Sequence, residues 1–219
     1  MSIEESILGI EKNLNNNVKL IAVSKTRNID EMEHAYEVGV RDFGENKVQE
    51  LINKTEKFHK DVRWHFIGHL QRNKVKYIVG KVDLIQSLDS VRLLNEIEKR
   101  YGKENLIANM LIEINIGREE NKSGIYEEEL QDLLQACEKC KNVKIKGLMC
   151  IIPKGTNEQC KHYFKKAKLI FDKLKEKSYQ NISMDILSMG MSGDYKIAVE
   201  EGSNMVRVGQ GIFGPRKYK

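Results

Sequence analysis

Eight short apolar runs recur along this chain, and longer stretches with apolar residues at helical spacing separate them. The runs fall at 19–24, 41–44, 64–68, 84–88, 110–115, 145–150, 185–189 and 205–209. Alternation of this kind is the mark of strand–helix units around a parallel sheet. Helical periodicity is plain over 29–38 and 163–174, and Asp89 or Ser90 is placed to cap the helix carrying Val91, Leu94 and Ile97. A helix with Ile3, Ile7, Leu8, Ile10 and Leu14 on one face precedes the first run. Eight strands, seven intervening helices and that extra N-terminal helix make the count for an α/β fold, a single (β/α)8 TIM barrel. A doubly wound sheet would carry a glycine-rich phosphate turn after its first strand. Here that turn reads SKTRNID, without glycine, and no Walker-type loop follows elsewhere.

With 219 residues, 40% of them hydrophobic, the chain is long enough for one sizeable core, and no linker divides it, so 1–219 reads as one domain. The net charge of +5 comes from 37 basic and 32 acidic residues that are interleaved throughout, which gives no indication of a nucleic-acid partner. The acidic start MSIEESILGIEKNL is unlike a secretion signal, and no apolar run approaches the ~20 residues of a membrane span. The expectation is a cytoplasmic protein. Four cysteines without framework spacing fit a reducing compartment.

In such a barrel the functional residues stand at the carboxyl ends of the strands. These are Lys25, Glu45 with Asn46, His69, Ser87, Asn115, Lys122 with Ser123, Met149, 188–192, and Arg207 with Gly209. Lys25 directly follows LIAVS, where partial desolvation favours a free amine able to condense with an aldehyde, although an ordinary solvated lysine is the simpler local reading. Ser188, Gly190, Ser192 and Gly193 could let backbone N–H groups meet an anion, or Ser192 could simply cap the next helix. Arg207 lies between Val206 and Val208 in an apolar strand, so it needs an acceptor: a phosphate, or a carboxylate such as Glu45 or Glu113. Gly209, Gly211 and Gly214 keep side chains out of the loop after strand eight, a common place for phosphate in barrels.

Other signals carry less. His65 and His69 are four apart but straddle a strand end, so no metal site is expected from them. Cys137 and Cys140 lack a second pair at zinc spacing and read as helix thiols. Arg72, Lys74, Lys76 and Lys81 read as the solvated face of one helix.

Together AVSKT, GENKVQE, WHFIGHLQRNK, NKSG, GLMCI, LSMGMSGD and MVRVGQGIFGPR, spanning about residues 21–216, resemble the pyridoxal phosphate homeostasis protein family, whose barrel is like the N-terminal domain of alanine racemase. The resemblance implies that the cofactor is pyridoxal 5′-phosphate (PLP), held as a Schiff base on Lys25. It further implies that Arg207 faces the pyridine nitrogen, that Ser192 and the Gly209 and Gln210 backbone hold the phosphate, and that Asn46 and Met189 line the cofactor. Gln210 stands where relatives often have Ser or Thr, and 27–29 replace a customary proline stretch. The function so implied is PLP homeostasis by a monomeric, non-catalytic carrier that supplies apo-enzymes. With about ten residues after strand eight, the expectation is that the further domain that completes a racemase site is absent. The alternatives are a PLP-dependent racemase or lyase, with Lys25 as base and His69 or Tyr195 as a second group, and a Schiff-base aldolase.

Overall fold

A computed structural model describes residues 2–215; Met1 and 216–219, including the arginine that ends the last motif, lie outside the described residues. The strands are β1 (Lys19–Val23), β2 (Asp42–Glu45), β3 (Arg63–Phe66), β4 (Leu84–Leu88), β5 (Ala108–Ile114), β6 (Val143–Cys150), β7 (Ile182–Met191) and β8 (Met205–Val208). They close in chain order into a parallel barrel, β8 returning to β1 with Lys19 beside Met205 and Ala22 beside Val208. The helices are α1 (Ile3–Glu11), α2 (Ile29–Glu37), α3 (Val48–Lys57), α4 (Val91–Lys103), α5 (Leu130–Glu138), α6 (Asn157–Lys175), α7 (Tyr195–Glu200) and α8 (Gln210–Phe213). The expected TIM barrel with an added N-terminal helix is therefore the fold.

Both faces of the sheet are covered, as a parallel barrel requires. Side-chain alternation sends Phe43, Phe66, Ile85, Ile112, Leu148 and Val206 outward under the helices, while Ile21, Leu84, Leu111, Met149 and Met205 pack inside. Helix starts follow local chemistry. Ser2 with Glu5, Asn28 with Glu31 and Thr156 with Gln159 form reciprocal capping boxes, and Ser90 accepts from the Leu93 N–H. The Thr156 box explains why α6 begins at 157, ahead of the periodic stretch at 163–174.

One expected helix is different. After β3 the chain forms a short 3₁₀ segment, Arg72–Tyr77, and Lys81 lies beyond it. No side chain caps its start, and its buried anchors Val75 and Ile78 are three apart, the repeat of a 3₁₀ turn. The basic run is thus not one helical face.

Arg27 fastens Gly214 and Pro215 to the turn after β1. It donates to the carbonyls of Gly214 and Pro215, pairs with Glu31, and lies 5.8 Å from the Phe213 ring centre.

Candidate functional site

At the C-terminal rim, Lys25 is half-buried on the turn that ends β1. The next residue, Thr26, has φ 65°, a left-handed conformation that β-branched side chains rarely take. A buried ionic cluster holds it there. Lys54 of α3 donates to the Ser24 carbonyl (2.8 Å), Glu45 Oε1 (2.7 Å) and Glu50 Oε1 (2.7 Å). Ser24 Oγ donates to Glu45 Oε1 (2.6 Å), and the Thr26 N–H donates to Glu50 Oε1 (2.6 Å). Burial pushes the Glu45 pKa up, against the pull of Lys54. Glu45 therefore serves the lysine turn and is not the partner of Arg207.

Across the rim, Ser192 does not cap α7, whose N-cap position is Asp194. Its Oγ instead accepts from the N–H groups of Gly211 (3.0 Å) and Gly209 (3.3 Å), so two donors outcompete one cap. This joins the loops after β7 and β8 at the rim. A Cβ at Gly211 would lie 2.8 Å from the Val208 side chain and close to Ser192, so the backbone approach depends on glycine. Gln210, between the two glycines, is exposed.

Arg207 is buried, and burial lowers its pKa from a starting value so high that the guanidinium stays charged. Its acceptors are neutral: Nη1 donates to Ser188 Oγ (2.6 Å) and Nη2 to the Cys150 carbonyl (2.9 Å). Glu113 enters the same interior from β5 without bonding it. Burial, with Asp89 adding to it and Arg207 opposing, pushes the Glu113 carboxyl up to about 7. Its Oε2 is buried and lacks a hydrogen-bond partner among the described residues, as does Asn46 Oδ1. Gly68 keeps the neighbouring loop against Asn46, since a Cβ there would fall 2.4 Å from its carbonyl.

Met189 corrects an expectation. Ile186 packs inside the barrel, whereas Leu187 and Met189 fall on the alternate face and are buried under the helices. The Met189 side chain does not line the mouth, and its carbonyl accepts from Ser203 Oγ (2.8 Å). His69 is exposed and meets Asp89 at 2.9 Å. Tyr195 is half-buried at the start of α7, and burial raises its pKa. Lys122 is exposed in a loop stapled by Asn115, which donates to the Glu119 and Lys122 carbonyls. All four cysteines are buried free thiols.

Sequence reading missed Gln86 and Asp42, and weighed His65 only as a metal ligand. Each is buried on an interior-facing position of β4, β3 or β2, where a polar residue with the parity of an apolar strand was the available signal.

Residues 2–217 match the family described as alanine racemase, N-terminal domain. A protein of Aquifex aeolicus named pyridoxal phosphate homeostasis protein is 45% identical over 205 residues, covering 93% of this chain and 89% of that one. The chain belongs to the pyridoxal phosphate homeostasis protein family. Structures in this family's neighbourhood agree: PipY of Synechococcus elongatus PCC7942, solved without PLP, superposes with a TM-score of 0.92 at 33% identity, covering 97% of this chain and 100% of PipY. PipY with PLP bound gives 0.90 at 32% identity. Membership of the pyridoxal phosphate homeostasis protein family is what the motifs around Lys25 and Arg207 led one to expect.

Proposed function

We propose that the protein binds PLP at this mouth and serves intracellular PLP homeostasis as a non-catalytic, monomeric, cytoplasmic carrier. The observation that carries this reading is the convergence of a half-buried lysine, a buried guanidinium and a glycine-lined pair of loops on one rim, with buried polar atoms left over. The names of the relatives and the PLP bound to PipY support it. The residues suit a group rich in acceptors: Arg207 is a buried donor, Asn46 carries an amide whose Oδ1 has no partner among the described residues, and the Gly211 approach would be filled by any Cβ.

When bound, PLP supplies an aldehyde that condenses reversibly with a primary amine, releasing water. Lys25 provides that amine, on a turn whose strained Thr26 is held by Glu50. A phosphate here would take the place of Ser192 Oγ as acceptor of the Gly209 and Gly211 N–H groups and accept from the Ser192 hydroxyl, so backbone and Ser192, rather than the Gln210 side chain, would hold it. Arg207 would stand at the ring nitrogen, as the resemblance implies. A guanidinium only donates, so it keeps a proton off that nitrogen and weakens the ring as an electron sink. Strong carbanion chemistry is thereby disfavoured, which fits holding PLP and handing it to apo-enzymes.

The test is borohydride reduction of PLP-loaded protein followed by peptide mass spectrometry. The expected mass increment sits on Lys25; modification elsewhere with Lys25 untouched refutes the reading. Single-enantiomer amino acids given to the loaded protein should keep their configuration, and sustained racemisation would restore the enzyme reading.

A further inference from the structure

Five buried polar side chains, each from a different strand, form one hydrogen-bonded chain along the barrel interior. From the mouth inward, Arg207 Nη1 donates to Ser188 Oγ (2.6 Å) and Ser188 Oγ donates to Gln86 Oε1 (2.7 Å). Gln86 Nε2 then meets His65 Nδ1 (3.2 Å), and His65 Nε2 meets Asp42 Oδ1 (2.9 Å). At the floor Asp42 is held by Arg63 and Lys19.

The direction of every bond follows from one end. A guanidinium has donors only, so Ser188 must accept from Arg207 and give its own proton to Gln86. The Gln86 atom facing Ser188 is therefore the carbonyl oxygen. Its amide nitrogen faces His65 Nδ1 and Met205 Sδ (3.3 Å), both acceptors, so both amide protons are used. His65 must then carry its proton on Nε2, where the Asp42 carboxylate takes it. A flipped Gln86 would give Ser188 two donors and no acceptor.

We propose that Ser188, Gln86 and His65 are positioning residues for Arg207: they fix the one orientation in which its guanidinium serves the mouth, with His65 locked as the Nε2–H tautomer. Only the ligand arm of the test below rests on the PLP reading.

The first arm uses ligand-free protein with ¹⁵N-labelled histidine and a long-range ¹H–¹⁵N correlation, His65 being assigned through its backbone. The expected pattern is a protonated Nε2 and a bare Nδ1; a proton on Nδ1 overturns the proposal. In Gln86→Glu, an oxygen replaces the donor facing Nδ1, and His65 should gain a proton there. An unchanged ring in the folded variant removes Gln86 from the chain. Gln86→Met, similar in length and without a donor, covers the case in which the buried carboxylate prevents folding. PLP titrated into it, followed by absorbance, should bind about tenfold more weakly, with its band displaced in the same direction as in Arg207→Lys. A displaced band in Arg207→Lys with none in Gln86→Met overturns the positioning role while the PLP reading stands. An unchanged band in Arg207→Lys overturns the assignment of Arg207 to the ring, and the His65 pattern then judges the chain by itself.

Discussion

The floor and the mouth of this barrel treat buried charge in opposite ways. At the floor, Asp42 accepts from Arg63, His65 and Lys19; burial works against its charge, but the hydrogen bonds from His65 and Arg63 win and hold its pKa far below the usual carboxylate range. At the mouth, Glu113 is equally buried yet has an oxygen without a partner among the described residues, and its pKa rises to about 7. One end is completed by the protein itself, whereas the other leaves polar atoms for something else to meet. That is the division expected of a barrel whose lower face serves stability and upper face function.

The contrast can be broken at its most sensitive point first. Lys25→Ala should abolish the borohydride-trapped PLP adduct entirely while costing much less in urea unfolding than a core truncation, because the side chain stands at the rim and is only half-buried. Loss of stability comparable to a core truncation would make Lys25 structural.

Glu113→Gln should stabilise the ligand-free protein by about 3 kcal/mol at pH 8, since each pKa unit is worth about 1.4 kcal/mol. The sign follows from linkage. A raised carboxyl pKa means the folded state binds the proton more tightly, so the parent loses stability as pH rises from its ordinary value of 4.5 to about 7 and then levels off. The gain should vanish near pH 4.5, and a gain independent of pH would refute the assignment.

Asp42→Asn should behave in the opposite sense at the floor. It removes about 2 kcal/mol at neutral pH, a value reduced because Arg63 is half-exposed. Asp42 has a depressed pKa, so its contribution is complete above its ordinary value of 3.8 and fades as pH falls below it. Parent and variant should converge in acid, as read by denaturant titration.

The smallest effect is expected at Thr26→Gly, which relieves the left-handed backbone next to Lys25 but adds unfolded-state entropy, for a net gain of about 0.5 kcal/mol. A looser turn should also trap PLP more slowly; unchanged trapping would show that the Thr26 geometry does not preset Lys25.

The mouth was partly legible in advance because its parts sit at strand ends. Lys25, Ser192, Arg207 and Gly209 each follow or interrupt an apolar run, and the need of Arg207 for an acceptor follows from its valine neighbours. Which acceptor it finds was not legible. Ser188 comes from the adjacent strand, and Gln86, the next link, is 102 residues away from Ser188 in the chain. The lysine turn likewise depends on Lys54, 30 residues from the Ser24 carbonyl it binds.

By itself, then, the sequence determined the barrel, because periods of two and 3.6 residues are local properties that dictate strand, helix and buried face. It also put Lys25, Ser192, Arg207 and Gly209 at or near strand ends. Only the tertiary structure decided that Ser192 bridges two loops instead of capping a helix, that Met189 turns outward, and that Asp42, His65, Gln86 and Ser188 line up behind Arg207. The physical reason is closure: hydrogen-bond partners within a barrel are set by shear and register between strands, including the register shift between Ser188 and Met191, and no local pattern in the chain records that register.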